Sequence, residues 1–342
     1  MGCAVTRLVT RLVVMVVLAV ASRTGAAPGT VTLVFVGDVM LDDGPGATLA
    51  AGRDPLEHVA PLLASADLVV ANLECPVATT GVEVEKPWAF RAHPRALEVT
   101  KRHLGAVSLA NNHSGDFGDD ALVETLSRLA AAGVPSFGAG RDLASAHAPL
   151  ILVRNGTRLA LIGCNEFKPR AFEAEANSPG VAWCDEDQLL HDLAAARASG
   201  ADLVIPFLHW GWEGEPRPSE RQRDLAHRLI DAGADAVIGG HPHIVQDPEV
   251  YRDHLVLYSL GNFVFDGFDT EAGRTGWALR VTFTPPDAGD APWRLGDWFT
   301  SVVRLDDRGT PRPDPDAVSP CGAPGSHEVT ACRAGRPIAP AP

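Results

Sequence analysis

The chain has 342 residues, of which 43 are acidic and 29 basic, for a formal charge of −14. That length allows one large domain or two small ones. A composition of 46% hydrophobic and 21% charged residues excludes a chain disordered throughout. Its acidity excludes nucleic acid as a partner, because phosphate backbones need clustered Lys and Arg.

The first residues carry targeting information. Arg7 and Arg11 precede an apolar run from Leu12 to Ala21, and small residues follow in Ala19-Val20-Ala21 and Gly25-Ala26-Ala27. That order predicts a secretory signal over residues 1–27 and a mature chain that is secreted or associated with the cell envelope. The alternative is an uncleaved anchor, but the run falls well short of the ~20 residues that span a bilayer. Losing this segment removes Arg7, Arg11 and Arg23, taking the formal charge from −14 to −17. An oxidising compartment permits disulfides. Cys321 with Cys332 is the first expected pair and Cys164 with Cys184 the second; the odd number of cysteines left after export implies at least one free thiol.

In chain order, the pattern predicts a strand at Val31–Val36, a helix at about 56–64, a strand at Leu68–Ala71 and a helix at about 95–103. A strand at Ala106–Leu109, a helix at about 119–132, a strand at Arg158–Ile162 and a helix at about 186–198 come next. The series continues with Leu203–Leu208, a helix at about 219–232, Ala236–Ile238 and Leu255–Ser259. Short apolar strands alternating with helices indicate an α/β fold with mixed sheets flanked by helices. Trp277–Phe283 and Trp298–Val303 read as added strands, giving a single main domain over 28–304. From 305 to 342, Asp, Arg, Gly and Pro dominate, and a loosely ordered tail is expected.

Polar residues able to hold a metal fall just after strands: Gly37-Asp38, Asn72-Leu73-Glu74, Asn111-Asn112-His113, His209-Trp210-Gly211 and Gly240-His241-Pro242-His243. Open α/β sheets place their sites outside the carboxyl ends of strands, so five loops would converge on one rim. Taken singly, each has an ordinary reading. Asp38 suits a turn cap, Glu74 a solvated loop, Asn112-His113 a turn and His209 a core histidine. Together they suit one or two divalent cations such as Mn, Zn or Fe. A carboxylate could bridge two cations ~3.5–4 Å apart in a hydrolytic site.

Several segments carry a family resemblance. Phe35-Val36-Gly37-Asp38-Val39-Met40-Leu41, Ala71-Asn72-Leu73-Glu74, Ser108-Leu109-Ala110-Asn111-Asn112-His113, His209-Trp210-Gly211-Trp212-Glu213, Gly240-His241-Pro242-His243 and Tyr258-Ser259-Leu260-Gly261-Asn262-Phe263 resemble the signatures of the CapA capsule-synthesis (poly-γ-glutamate capsule) family. The resemblance runs from about 31 to 268 and implies a calcineurin-like metallophosphoesterase fold. It implies that Asp38 is the first ligand and Glu74 stands for the bridging carboxylate. It further implies that Asn112, His209, His241 and His243 complete the coordination, and that His113, beside Asn112, gives a proton to the leaving group, with Asp38 the other catalytic residue. Lys86, Arg91 and Glu213 would line the substrate side.

Met40 departs from the Asp-x-His usual in metallophosphoesterases, since a thioether is a poor ligand for Mn or Zn. Asp42 is the nearest substitute. Trp88, Trp210 and Trp212 are expected to pack around the site, the last two alternatively walling a pocket. Arg217 and Arg221 suit a solvated helix face or an anion clamp, and Gly261-Asn262 a turn or an amide near the metals. Two functions follow from the resemblance: an exported metal-dependent hydrolase acting on a small molecule or anionic polymer, or a non-catalytic accessory in assembly, anchoring or export of poly-γ-glutamate or a similar polymer.

Overall fold

A computed structural model of the protein describes residues 27–167, 170, 172–287 and 291–338; residues 1–26, with nearly all of the expected signal, lie outside them. Every predicted strand and helix through 303 is found within a few residues. Two short helices, Asp43–Ala50 and Leu143–His147, were not foreseen. The first has an almost uniform distribution of apolar side chains, so it carries no helical period to detect.

Two mixed sheets pack face to face. The eleven-stranded sheet contains Val31–Val39 at its centre, with Leu68–Leu73 parallel on one side and Thr275–Thr284 antiparallel on the other. The six-stranded sheet is built around Leu203–His209, with Thr157–Asn165 and Ala236–Gly240 parallel to it on either side.

Strand alternation assigns the layers. Leu33 and Phe35 join Leu161, Ile205, Phe207 and Ile238 in the core between the sheets. Val34 and Val36 turn outward and pack with Leu49, Val99 and Leu122 from the helices covering the first sheet. Ile162, Val204 and Val237 pack with Leu193, Leu225 and Leu229 from the helices covering the second. The result is an α–β–β–α sandwich in which the central strands are buried on both faces. That double burial explains why they read as unbroken apolar runs.

The stretch after 305 differs from expectation. Pro311–Pro313, Val318–Gly322, Thr330–Arg333 and Arg336–Pro337 all join the edge of the larger sheet, and Cys321 is bonded to Cys332. Polar, Pro-rich composition hid them because edge strands tolerate both proline and charge. Val318–Gly322 covers Trp298, which is 1% exposed, and Gly322 leaves room for its indole. Cys164–Cys184 is the other disulfide, and Cys75 is a buried free thiol.

A chain ending at Leu305 is therefore expected to unfold at least about 5 °C lower in a thermal melt, because it uncovers Trp298 and the sheet edge. An unchanged midpoint would show the added strands to be a loose appendage.

Candidate metal centre

Parallel strands ending on the same side bring the polar loops together. Asp38 is in register with Asn72 and with Asn262, and His209 with Gly240 and Asn165. At Gly37 the register of the central strand shifts. A Cβ there would meet the Gly261 carbonyl oxygen at 1.8 Å, so only glycine admits the close approach that lets the Asp38 amide donate to that oxygen at 3.0 Å.

His241 and His243 both occupy positive φ, at 94° and 55°. This turn overrides the alternation that would point residues 241 and 243 in opposite directions, and both rings reach the centre. Strained backbone of this kind persists where the surroundings over-determine it.

Asn72 is the hub. Its amide nitrogen donates to Asp38 Oδ1 at 2.9 Å and to Glu74 Oε2 at 3.1 Å, and it lies 3.2 Å from His209 Nδ1. Asn111 in turn donates to Asn72 Oδ1 at 2.9 Å, while its own oxygen accepts from the His113 and Ser114 amides. Around this hub, His209 Nε2 lies 3.5 Å from Glu74 Oε1 and 2.7 Å from Asn112 Oδ1. His241 Nδ1 is 3.1 Å from His209 Nε2. His243 Nδ1 is 2.8 Å from Asn262 Oδ1, and its Nε2 is 3.7 Å from Glu74 Oε1. An imidazole anchored through one nitrogen to an amide oxygen presents the other as a ligand.

The residues fit a cation. Glu74 Oε1 and His241 Nε2 are buried without a hydrogen-bond partner. Glu74, His241 and His243 form one group, and Asp38, Glu74 and His209 another, each with ligand atoms within 4.8 Å of one another. Burial first, then repulsion from Asp38, pushes the Glu74 carboxyl well above its ordinary range. Burial first, then the neighbouring histidines, holds His209 and His241 well below theirs. Imidazoles held neutral are in the protonation state a divalent cation needs, and such a cation would compensate the carboxylate that burial here disfavours.

His113 stands beside this group, its Nε2 at 4.0 Å from Glu74 Oε1. Its Nδ1 is 2.7 Å from Asp116 Oδ2, and Asp116 also accepts from Lys86 at 2.5 Å and from the Phe90 amide at 2.8 Å. Lys86 donates as well to the Asn112 carbonyl at 3.0 Å. It thus braces His113 and Asn112 from behind.

The remaining predicted residues divide between the site and its surroundings. The Arg91 guanidinium lies over the Phe117 ring and donates to the Thr80 carbonyl. Glu213 is exposed and borders a cleft beside His113 and His243. Met40 is fully buried in the core, with its sulfur accepting from the Asp42 amide at 3.1 Å. The Asp42 carboxylate accepts from the Arg91 amide at 2.7 Å, so it is engaged outside both candidate ligand groups. Trp210 is buried, donating to the Tyr258 carbonyl, whereas Trp88 and Trp212 are 71% and 67% exposed. Arg221 pairs with Glu166 and Glu186 on the helix face.

Asn72, Asn111 and Asp116 were not predicted as site residues. Asn72 had a signal, because it precedes Glu74 by two positions and so shares its side of the extended chain.

An α–β–β–α sandwich with histidine, carboxylate and amide side chains gathered at its strand ends is the metallophosphoesterase fold. Among solved structures, it resembles the 5'-nucleotidase precursor from Thermus thermophilus, with a TM-score of 0.51 and 16% identity over 83% of this chain and 56% of that one. It also resembles the NAD nucleotidase (NadN) of Haemophilus influenzae, with a TM-score of 0.50 and 13% identity over 83% and 53%. The chain belongs to the bacterial capsule synthesis protein PGA_cap family, which residues 32–267 match. It is 33% identical to the PGA biosynthesis protein CapA of Bacillus subtilis over 68% of this chain, a match spanning 62% of that protein. It is 32% identical to the capsule biosynthesis protein CapA of Bacillus anthracis over 84% of this chain and 70% of that one.

Replacing the hub, Asn72→Ala, is expected to weaken Mn or Zn affinity roughly 10- to 100-fold, as loss of a residue orienting ligands does. Metal titration checks this. Unchanged affinity with an intact fold would remove Asn72 from the centre.

Proposed function

We propose that the chain is an exported, divalent-metal-dependent hydrolase of the phosphoester type that acts in the cell envelope. The observation that carries this reading is the pair of buried, partnerless atoms, Glu74 Oε1 and His241 Nε2, set among Asp38, His209 and His243. Among the described residues no helix is long and apolar enough to cross a membrane. The envelope placement is supported by the capsule roles named for the relatives and by the N-terminal signal pattern.

Asp38, Glu74, His209, His241 and His243, with the Asn112 amide, would hold the cation. When bound, Mn, Zn or Fe supplies Lewis-acid polarisation and lowers the pKa of water. The protein's own groups do the rest. Asn72 fixes the carboxylates and His209, and Asp116 fixes the His113 ring. His113 is set to donate a proton from Nε2 to the leaving oxygen, with Asp116 stabilising the imidazolium beforehand. Burial holds the His113 pKa below its usual value, and the Asp116 contact partly opposes this.

A second reading is an accessory without turnover that binds an anionic polymer such as poly-γ-glutamate. Met40, buried in the core where the fold class usually has a ligand, favours it.

The deciding assay loads the protein with Mn or Zn and measures hydrolysis of phosphomonoesters and phosphodiesters. Wild type should turn over and His241→Ala should not, while His113→Ala should lower kcat roughly 10²- to 10⁴-fold. Equal trace rates in wild type and His241→Ala would overturn the hydrolase, and polymer binding that survives His241→Ala and Asp38→Asn would favour the accessory. Bound metal, counted in the same preparations, should be about one or two equivalents in wild type and fewer in His241→Ala.

A further inference from the structure

Beside the metal centre lies a cleft of about 250 Å³ that His113 and His243 border from below. Its walls are aromatic. Phe90 packs against the His113 ring with centroids 4.6 Å apart, and Phe265 and Phe268 pack against His243 at 4.9 and 5.0 Å. Phe265 also meets Phe90 at 5.6 Å and Phe268 at 5.5 Å, closing three sides of a box. Trp88 borders the same space yet is 71% exposed, so it stands at the mouth.

The charged groups of this lining have one sign. Asp43, Asp266 and Glu213 border the cleft, and no lysine or arginine does among the described residues. Burial first, then repulsion from Asp42 and Asp266, raises the Asp43 carboxyl above its ordinary value, as expected where cations are wanting. Holding the two histidines in place accounts for Phe90, Phe265 and Phe268. It does not account for an exposed indole and three acidic residues bordering the same space.

We propose that this cleft is a subsite for a compact ammonium group, so that the substrate carries a primary or quaternary amine close to the bond that is cut. Ring faces attract a cation electrostatically, most strongly where it is partly desolvated, and carboxylates at the rim add to that attraction. A second anionic unit in the same place would meet three acidic residues and no lysine or arginine in the lining. At about 250 Å³ the space is below the roughly 300–1,000 Å³ of sites for drug-sized ligands, which suits a small substituent rather than a polymer segment. The term substrate rests on the hydrolase reading; the binding of an ammonium group does not.

The test is calorimetric titration of the metal-loaded protein with choline and with its neutral carbon isostere, 3,3-dimethylbutan-1-ol. Choline should bind at least about fivefold more tightly than the isostere. Trp88→Ala, at an exposed position where folding is not at stake, should lower choline affinity roughly twofold to thirtyfold. Asp266→Asn, which keeps an acceptor for the Gly44 amide, should lower it as well. Choline in solution and vesicles of phosphatidylcholine form two arms. Where choline is preferred over the isostere, added binding to the vesicles identifies a lipid-borne ammonium and its lack a free one; vesicle binding without that preference counts against the subsite. Equal affinity for choline and the isostere, or variants that bind choline as wild type does, would overturn it. Choline binding by a protein without turnover would sink the hydrolase and leave the subsite; ester hydrolysis without any choline preference would do the reverse.

Discussion

Glu74 is fully buried, and one of its carboxylate oxygens meets three imidazole nitrogens at 3.5–4.0 Å without a hydrogen-bond donor. Removing such an anion from water is costly unless a proton or a positive charge compensates it. Burial holds His209 and His113, two of those three imidazoles, below their ordinary range, which disfavours a simple ion pair with either. A cation shared by the carboxylates and imidazoles would resolve both penalties together.

The arrangement depends on backbone as much as on side chains. Gly37 lets the central strand touch the turn at Gly261, and the positive-φ turn at His241 and His243 lays two rings into one space. Asn72 and Asn111 then tie the ends of four different strands into one polar unit. A metal site needs ligands held in position before the ion arrives. Here that rigidity comes from neutral amides, which add no charge to an already acidic, buried cluster.

Much of this was legible in the sequence, and the reason is local. Doubly buried strands read as apolar runs, so their ends, and the candidate ligands at Asp38, Glu74, His209 and His241, could be located by position. The bracing residues were not legible in that way. Asp116 and Lys86 matter because a turn and an extended loop meet behind His113, a contact with no periodic signature. Arg91 illustrates the converse: its place near the motifs suggested a substrate contact, yet a ring and a carbonyl hold it elsewhere. The strands after 305 were hidden because an edge strand resembles a loop in composition. The aromatic box is assembled from Phe90, Phe265 and Phe268, and only folding brings these distant positions together.

The most direct test is a crystal of the protein grown with Mn and measured for anomalous scattering. The account predicts a peak within about 2.0–2.3 Å of oxygen or nitrogen atoms from Glu74 and from at least two of Asp38, His209, His241 and His243. A map with no peak there, or with manganese bound only at surface carboxylates, would contradict it.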